Sequence, residues 1–161
     1  MASLFNTTSN ISLYTVPFAW ALCLAPRVYA TQLYEKASSR QFDNREPRSF
    51  TKMVMENQSI DSATKGRIIR AESAQQNGFE NIGFFATAVV AGNLARLDTT
   101  WLNTLSVGYV ISRILYNLIY LNNTTAGLAT TRTVTYISGI GMIWTIFIMA
   151  GNKLRSSPWE I

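Results

Sequence analysis

The chain has 161 residues, 48% of them hydrophobic, with 14 Lys and Arg against 9 Asp and Glu, a length that fits one domain. One cysteine and no histidine exclude by count a disulfide framework, a Cys/His metal centre and a His-based triad, so any general base is Glu, Asp, Tyr or Lys, or belongs to a cofactor. The formal charge of +5 crowds into 35–72 and the last ten positions with long uncharged runs between, a distribution that speaks of membrane topology rather than of nucleic acid.

The N-terminal arm carries no Lys or Arg before Arg27, so it lacks the basic region of a cleavable signal peptide. It does carry glycosylation sequons at Asn6 and Asn10. A first helix is expected over about 11–36, apolar enough to cross a bilayer, with Pro17 and Pro26 inside it and therefore a kink. Cys23, in its middle, reads as a small packing residue. The loop 38–65 and its flanks hold Lys36, Arg40, Arg45, Arg48, Lys52, Lys65 and Arg67, and DNREPRS (43–49) within it reads as solvated, or as a cover for a cleft mouth. Helical formers without breakers from Gly66, followed by an apolar run to Leu97, predict a second helix over 66–97. Further helices are expected over 100–121 and 132–151. Each apolar run approaches the roughly 20 residues that a ~30 Å hydrocarbon core requires. The short links make the second, third and fourth helices antiparallel neighbours. The expectation is an all-α integral membrane four-helix bundle, one domain over 1–161. Its basic first loop lies in the cytosol and both termini in the lumen.

Two helices carry ionisable residues at membrane depth, where a central charge costs ~2.5–3.5 kcal/mol on insertion scales. On the second helix Ser73, Asn77 and Glu80 fall at i, i+4 and i+7, flanked by Arg70 and Gln76. On the third, Arg113, Tyr116 and Tyr120 fall at i, i+3 and i+7. Arg132 opens the fourth. If the two stripes meet, they form a polar pocket open towards the cytosol. The same residues also suit a structural role: a Glu80–Arg113 ion pair setting helix register, an Asn77 interhelical hydrogen bond, and tyrosines in an interfacial belt.

RAESAQQNGFEN (70–81), RILYNLIYL (113–121) and RTVTY (132–136) together resemble the MAPEG family, the membrane-associated proteins of eicosanoid and glutathione metabolism. That family includes microsomal glutathione transferases and the prostaglandin E and leukotriene-C synthases. The resemblance covers about 65–150 and implies a homotrimer in the endoplasmic reticulum with sites between protomers. It implies glutathione held by Asn77, Glu80, Arg113, Tyr116 and Tyr120. Arg132 would stabilise the thiolate, and Thr133 stands where a family Ser is proposed to assist. A thiol of pKa ~8.5 needs such a cation to be a nucleophile at neutral pH. Glutathione users carry an Arg four residues before the Asn; here that residue is Ser73. Arg70 and Arg67 are the nearest substitutes, Arg40 is a candidate for an Arg that helix 1 supplies, and Gln76 and Asn81 also depart from the pattern. Losing one charge-assisted pair removes ~1.5–3 kcal/mol.

The implied activity is a glutathione-dependent transferase or peroxidase acting on a lipophilic electrophile through Arg132, with Tyr120 or Tyr116 donating a hydrogen bond. Two alternatives are a glutathione-independent isomerase or cyclase of a hydrophobic metabolite, using Glu80 or a tyrosine for proton transfer, and a non-catalytic membrane adaptor. The partners expected are that lipophilic substrate, membrane lipid and further copies of the chain. No metal is expected.

Overall fold

Four long helices are joined by two short links and one long link that carries a short helix of its own. A computed structural model describes residues 9–156, in the order α1 (Ser12–Ser38), a 3-10 turn (Pro47–Ser49), α2 (Phe50–Glu56), α3 (Ser62–Leu94), α4 (Thr99–Leu121) and α5 (Ala126–Ser156). The all-α expectation holds. The boundaries shift: α3 starts four residues before Gly66, because Asp61 accepts from the Thr64 amide at 3.0 Å and caps it there. Helix α5 starts at Ala126 rather than 132; no proline interrupts the residues between.

Helix α4 begins at a second acidic cap, Asp98, which accepts from the Thr100 and Trp101 amides. Helix α1 ends where Ser39 turns left-handed at φ 54°. Helices α4 and α5 are long and apolar enough to cross a bilayer. The 33 residues of α3 span roughly 50 Å.

Small residues bring α1 onto α3. The buried face of α1 runs Thr15, Ala19, Cys23, Pro26, Ala30 and Tyr34, a helical stripe. A Cβ added to Gly78 of α3 would lie 3.0 Å from the Cys23 sulfur, so a larger residue there forces the helices apart. Buried Cys23 donates to the Ala19 carbonyl, in keeping with a packing residue.

Two clusters form the core. In one, Phe85 stacks on Tyr109 at 4.0 Å, among Val89, Leu102, Ile143 and Ile146. The other packs Phe50 and Val54, both fully buried, against Ala30, Tyr34, Ile60, Ile68 and Ala71. The segment 38–65, expected as a cytosolic loop with DNREPRS (43–49) solvated, therefore carries a docked element. Its residues Glu46–Arg48 stay exposed, while Phe50 and Val54 bury apolar surface at about 25 cal/mol per Å².

Arg27 fixes this element in place. It pairs with Glu72 of α3 at 2.5 Å, donates to the Pro47 carbonyl at 3.0 Å and stacks on the rings of Phe42 and Phe50. At the opposite end of the bundle, Asn10 accepts from the Ser12 amide and donates to Asn93 at 2.6 Å. The Asn10 sequon amide is thus engaged within the fold; Asn6 lies outside the described residues.

Candidate functional site

The middle of α3, the C-terminal half of α4 and the second and third turns of α5 meet around a cleft. It has a volume of about 220 Å³ and is lined by Asn77, Tyr116, Tyr120, Arg132, Thr133 and Tyr136. Helical spacing explains the lining. Tyr116 and Tyr120 lie four apart on α4, and their rings meet edge to face at 5.4 Å. Arg132 and Tyr136 lie four apart on α5.

The Arg132 guanidinium sits over the Tyr120 ring at 4.7 Å. This cation–π contact orients the charge while leaving its N–H groups free to donate. Arg132 is half-buried and takes part in no ion pair among the described residues. The Thr133 hydroxyl donates to the Ala129 carbonyl at 3.1 Å, so towards the cleft it offers lone pairs only.

Arg113 lies behind this wall. Only 5% exposed, it is enclosed by the rings of Tyr109, Tyr116 and Tyr136 at 5.3, 4.8 and 5.3 Å. It donates weakly to the Asn77 side chain at 3.5 Å and to the Tyr136 carbonyl at 3.4 Å, and its Nε has no partner. The expected Glu80–Arg113 ion pair does not form, because Arg113 turns into the aromatic cage while Glu80 is exposed. Gly139 makes the cage possible: a Cβ there would stand 2.7 Å from the Arg113 Nη2.

The cleft thus brings together Asn77, Tyr116, Tyr120, Arg132 and Thr133, with Arg113 as the support beneath Tyr116. It does not include Arg70, Ser73 or Glu80. Arg70 donates to the Leu121 carbonyl at 3.2 Å, and the Ser73 hydroxyl to the Ile69 carbonyl at 3.0 Å. Arg40 is exposed just beyond the end of α1.

Sequence reasoning missed three contributors. Tyr136 lines the cleft and donates to Asn81 at 3.3 Å, and Asn81 in turn donates to the Asn77 carbonyl at 2.7 Å. Its spacing from Arg132 was the available signal. Gly139 and Tyr109 carry no sequence mark of their role.

The arrangement is a cationic, hydroxyl-lined cleft. Its donors are one uncompensated guanidinium, the Asn77 amide nitrogen and the phenols of Tyr116 and Tyr120, since the Tyr136 hydroxyl already donates to Asn81. That set suits an anionic ligand or one that develops negative charge on reaction. The family model described as the MAPEG family matches residues 12–152. No curated protein and no solved structure matches the chain.

Proposed function

Because the chain belongs to the MAPEG family, we propose that this membrane protein is a glutathione-dependent transferase or peroxidase whose lipophilic electrophile meets the thiol at Arg132. The observation that carries the reading is the Arg132–Tyr120 pair at 4.7 Å facing a cleft with no carboxylate in its lining. When bound, glutathione supplies a thiol whose deprotonated form is the nucleophile. Arg132 holds negative charge at the sulfur, as a nearby cation must for a thiolate to persist at neutral pH. The Asn77 amide nitrogen donates to the peptide, and the Tyr116 and Tyr120 hydroxyls donate to oxygen on the electrophile.

The reading includes a homotrimer, in which exposed Glu80 reaches the ligand at a protomer boundary. It also includes four crossings of the endoplasmic reticulum membrane with both termini in the lumen. The basic loop supports that orientation.

A second reading has one observation in its favour. Arg70 and Ser73 are committed to backbone carbonyls, which leaves a glutathione carboxylate without its clamp. A glutathione-independent isomerase or cyclase, using a tyrosine hydroxyl for proton transfer, needs no such clamp.

Calorimetry on detergent-purified protein separates the two. Saturable glutathione binding in the sub-millimolar range, weakened in Arg132→Ala, is the expected result. No heat at several millimolar glutathione overturns the first reading and leaves the second.

A further inference from the structure

A second groove lies on the other side of α4 from α5. Pro26 has no amide hydrogen to give the Leu22 carbonyl four residues before it, and the side chain of Asn117 on α4 donates there instead, at 3.1 Å. Around this junction α1 and α4 leave an apolar groove of about 250 Å³, walled by Leu22, Ala25, Pro26, Tyr29, Ile114 and Leu118. Its amide, on Asn117, is committed to the Leu22 carbonyl. At one end the groove reaches Leu121, the last residue of α4.

That end is cationic. Arg67 lies over the Tyr29 ring at 5.9 Å and donates through one nitrogen to the Asn122 side chain at 2.9 Å. Arg70 holds the Leu121 carbonyl. Among the described residues neither arginine is in an ion pair. Arg67 is exposed, and most of its N–H donors are unused. Asn122 directly follows a helix able to span the bilayer, so Arg67 stands at the depth of lipid headgroups.

We propose that the α1–α4 groove binds an anionic phospholipid of the surrounding bilayer, with part of an acyl chain against Ala25 and Leu118 and the phosphate on Arg67. The argument is charge complementarity. An apolar slot that ends in an uncompensated guanidinium at the membrane surface matches an anionic amphiphile. A zwitterionic head brings a cation that this end does not neutralise. The site is separate from the cleft at Arg132 and does not depend on the reaction performed there.

Native mass spectrometry of the full-length protein in detergent tests this, with phosphatidylglycerol and phosphatidylcholine of identical chains, and oleate, added in equal amounts. Phosphatidylglycerol should be retained preferentially. Arg67→Gln should reduce its retention about tenfold, the equivalent of one charge-assisted contact, and Ala25→Trp should block the slot. Both positions are exposed, and unchanged elution by size exclusion shows that the variants fold. Equal retention of the two lipids overturns the proposal. So does a preference for phosphatidylglycerol that survives both substitutions, or retention of oleate in place of either phospholipid.

Discussion

Arg27 of α1 and Glu72 of α3 form an ion pair at 2.5 Å across 45 positions of chain, with both side chains largely removed from solvent. The same guanidinium carries the Pro47 carbonyl and the faces of two phenylalanines. One residue therefore joins two long helices to the folded link between them. Removing one partner of a buried pair leaves an uncompensated charge. Glu72→Ala should accordingly destabilise the protein by about 3–5 kcal/mol and expose the link to trypsin at Arg45 and Arg48. Replacing both partners with Met and Leu should restore most of the loss. Thermal unfolding in detergent together with limited proteolysis reads both effects.

The Asn117–Leu22 bond makes a conditional prediction. Asn117→Ala alone leaves a partly buried carbonyl without a donor, at a cost of about 1–3 kcal/mol. With Pro26→Ala in the background, the new amide at 26 serves Leu22 and the same change at 117 should cost much less. A double-mutant cycle by chemical denaturation gives the coupling directly; additive effects would mean that the bond does not serve the proline.

Gly139→Ala places a methyl 2.7 Å from both the Arg113 Nη2 and the Ser112 hydroxyl. Overpacking of this kind costs about 1–3 kcal/mol. Because Arg113 supports Tyr116, the variant should also weaken glutathione binding, by calorimetry, more than Gly141→Ala, where an added Cβ meets nothing.

The Arg132–Tyr120 contact separates ring from hydroxyl. Tyr120→Phe keeps the aromatic face and should retain the ultraviolet absorbance of bound thiolate while slowing turnover. Tyr120→Leu removes the face, worth roughly 0.5–2 kcal/mol, and should lower the thiolate signal. Arg132→Lys keeps the charge and should fall between wild type and Arg132→Ala. An unchanged signal in Arg132→Ala would detach this residue from the thiol.

Acid should fray the start of α3. Hydrogen bonds from Thr64, side chain and backbone, hold the Asp61 carboxyl below the usual carboxylate range. A depressed folded-state value means that the cap contributes fully above the unfolded value and is lost as pH falls through the lowered one. Amide exchange at Thr64 and Lys65 should rise at the acid end of that window, and Asp61→Asn should flatten the dependence.

Much of the fold and most of the cleft lining were legible in the residues. Ser73, Asn77 and Glu80 do share a face of α3, as 3.6 residues per turn requires, yet only Asn77 reaches the cleft. Glu80 turns out to be exposed on the protomer. Spacing places residues around one helix; it does not say which part of a broad polar face a neighbouring helix will cover. The expected ion pair failed for the same reason, since three tyrosines from two helices captured Arg113 first. The docking of the link over 38–65 was not legible because its charges are frequent, while Phe50 and Val54, which decide it, are only two residues.

By itself the sequence determined what depends on short separations. Long uncharged runs dictated helices that lipid can solvate, acidic residues at 61 and 98 started two of them, and four-residue spacings lined up Tyr116 with Tyr120 and Arg132 with Tyr136. Tertiary structure decided what depends on the rotation and approach of whole helices. It chose Glu72 rather than an exposed partner for Arg27, Asn117 for the carbonyl that Pro26 orphans, and Gly139 as the space for Arg113. Such pairings, 26 to 95 positions apart, follow from how small residues let helix surfaces interlock, and no periodicity within a single helix contains that information.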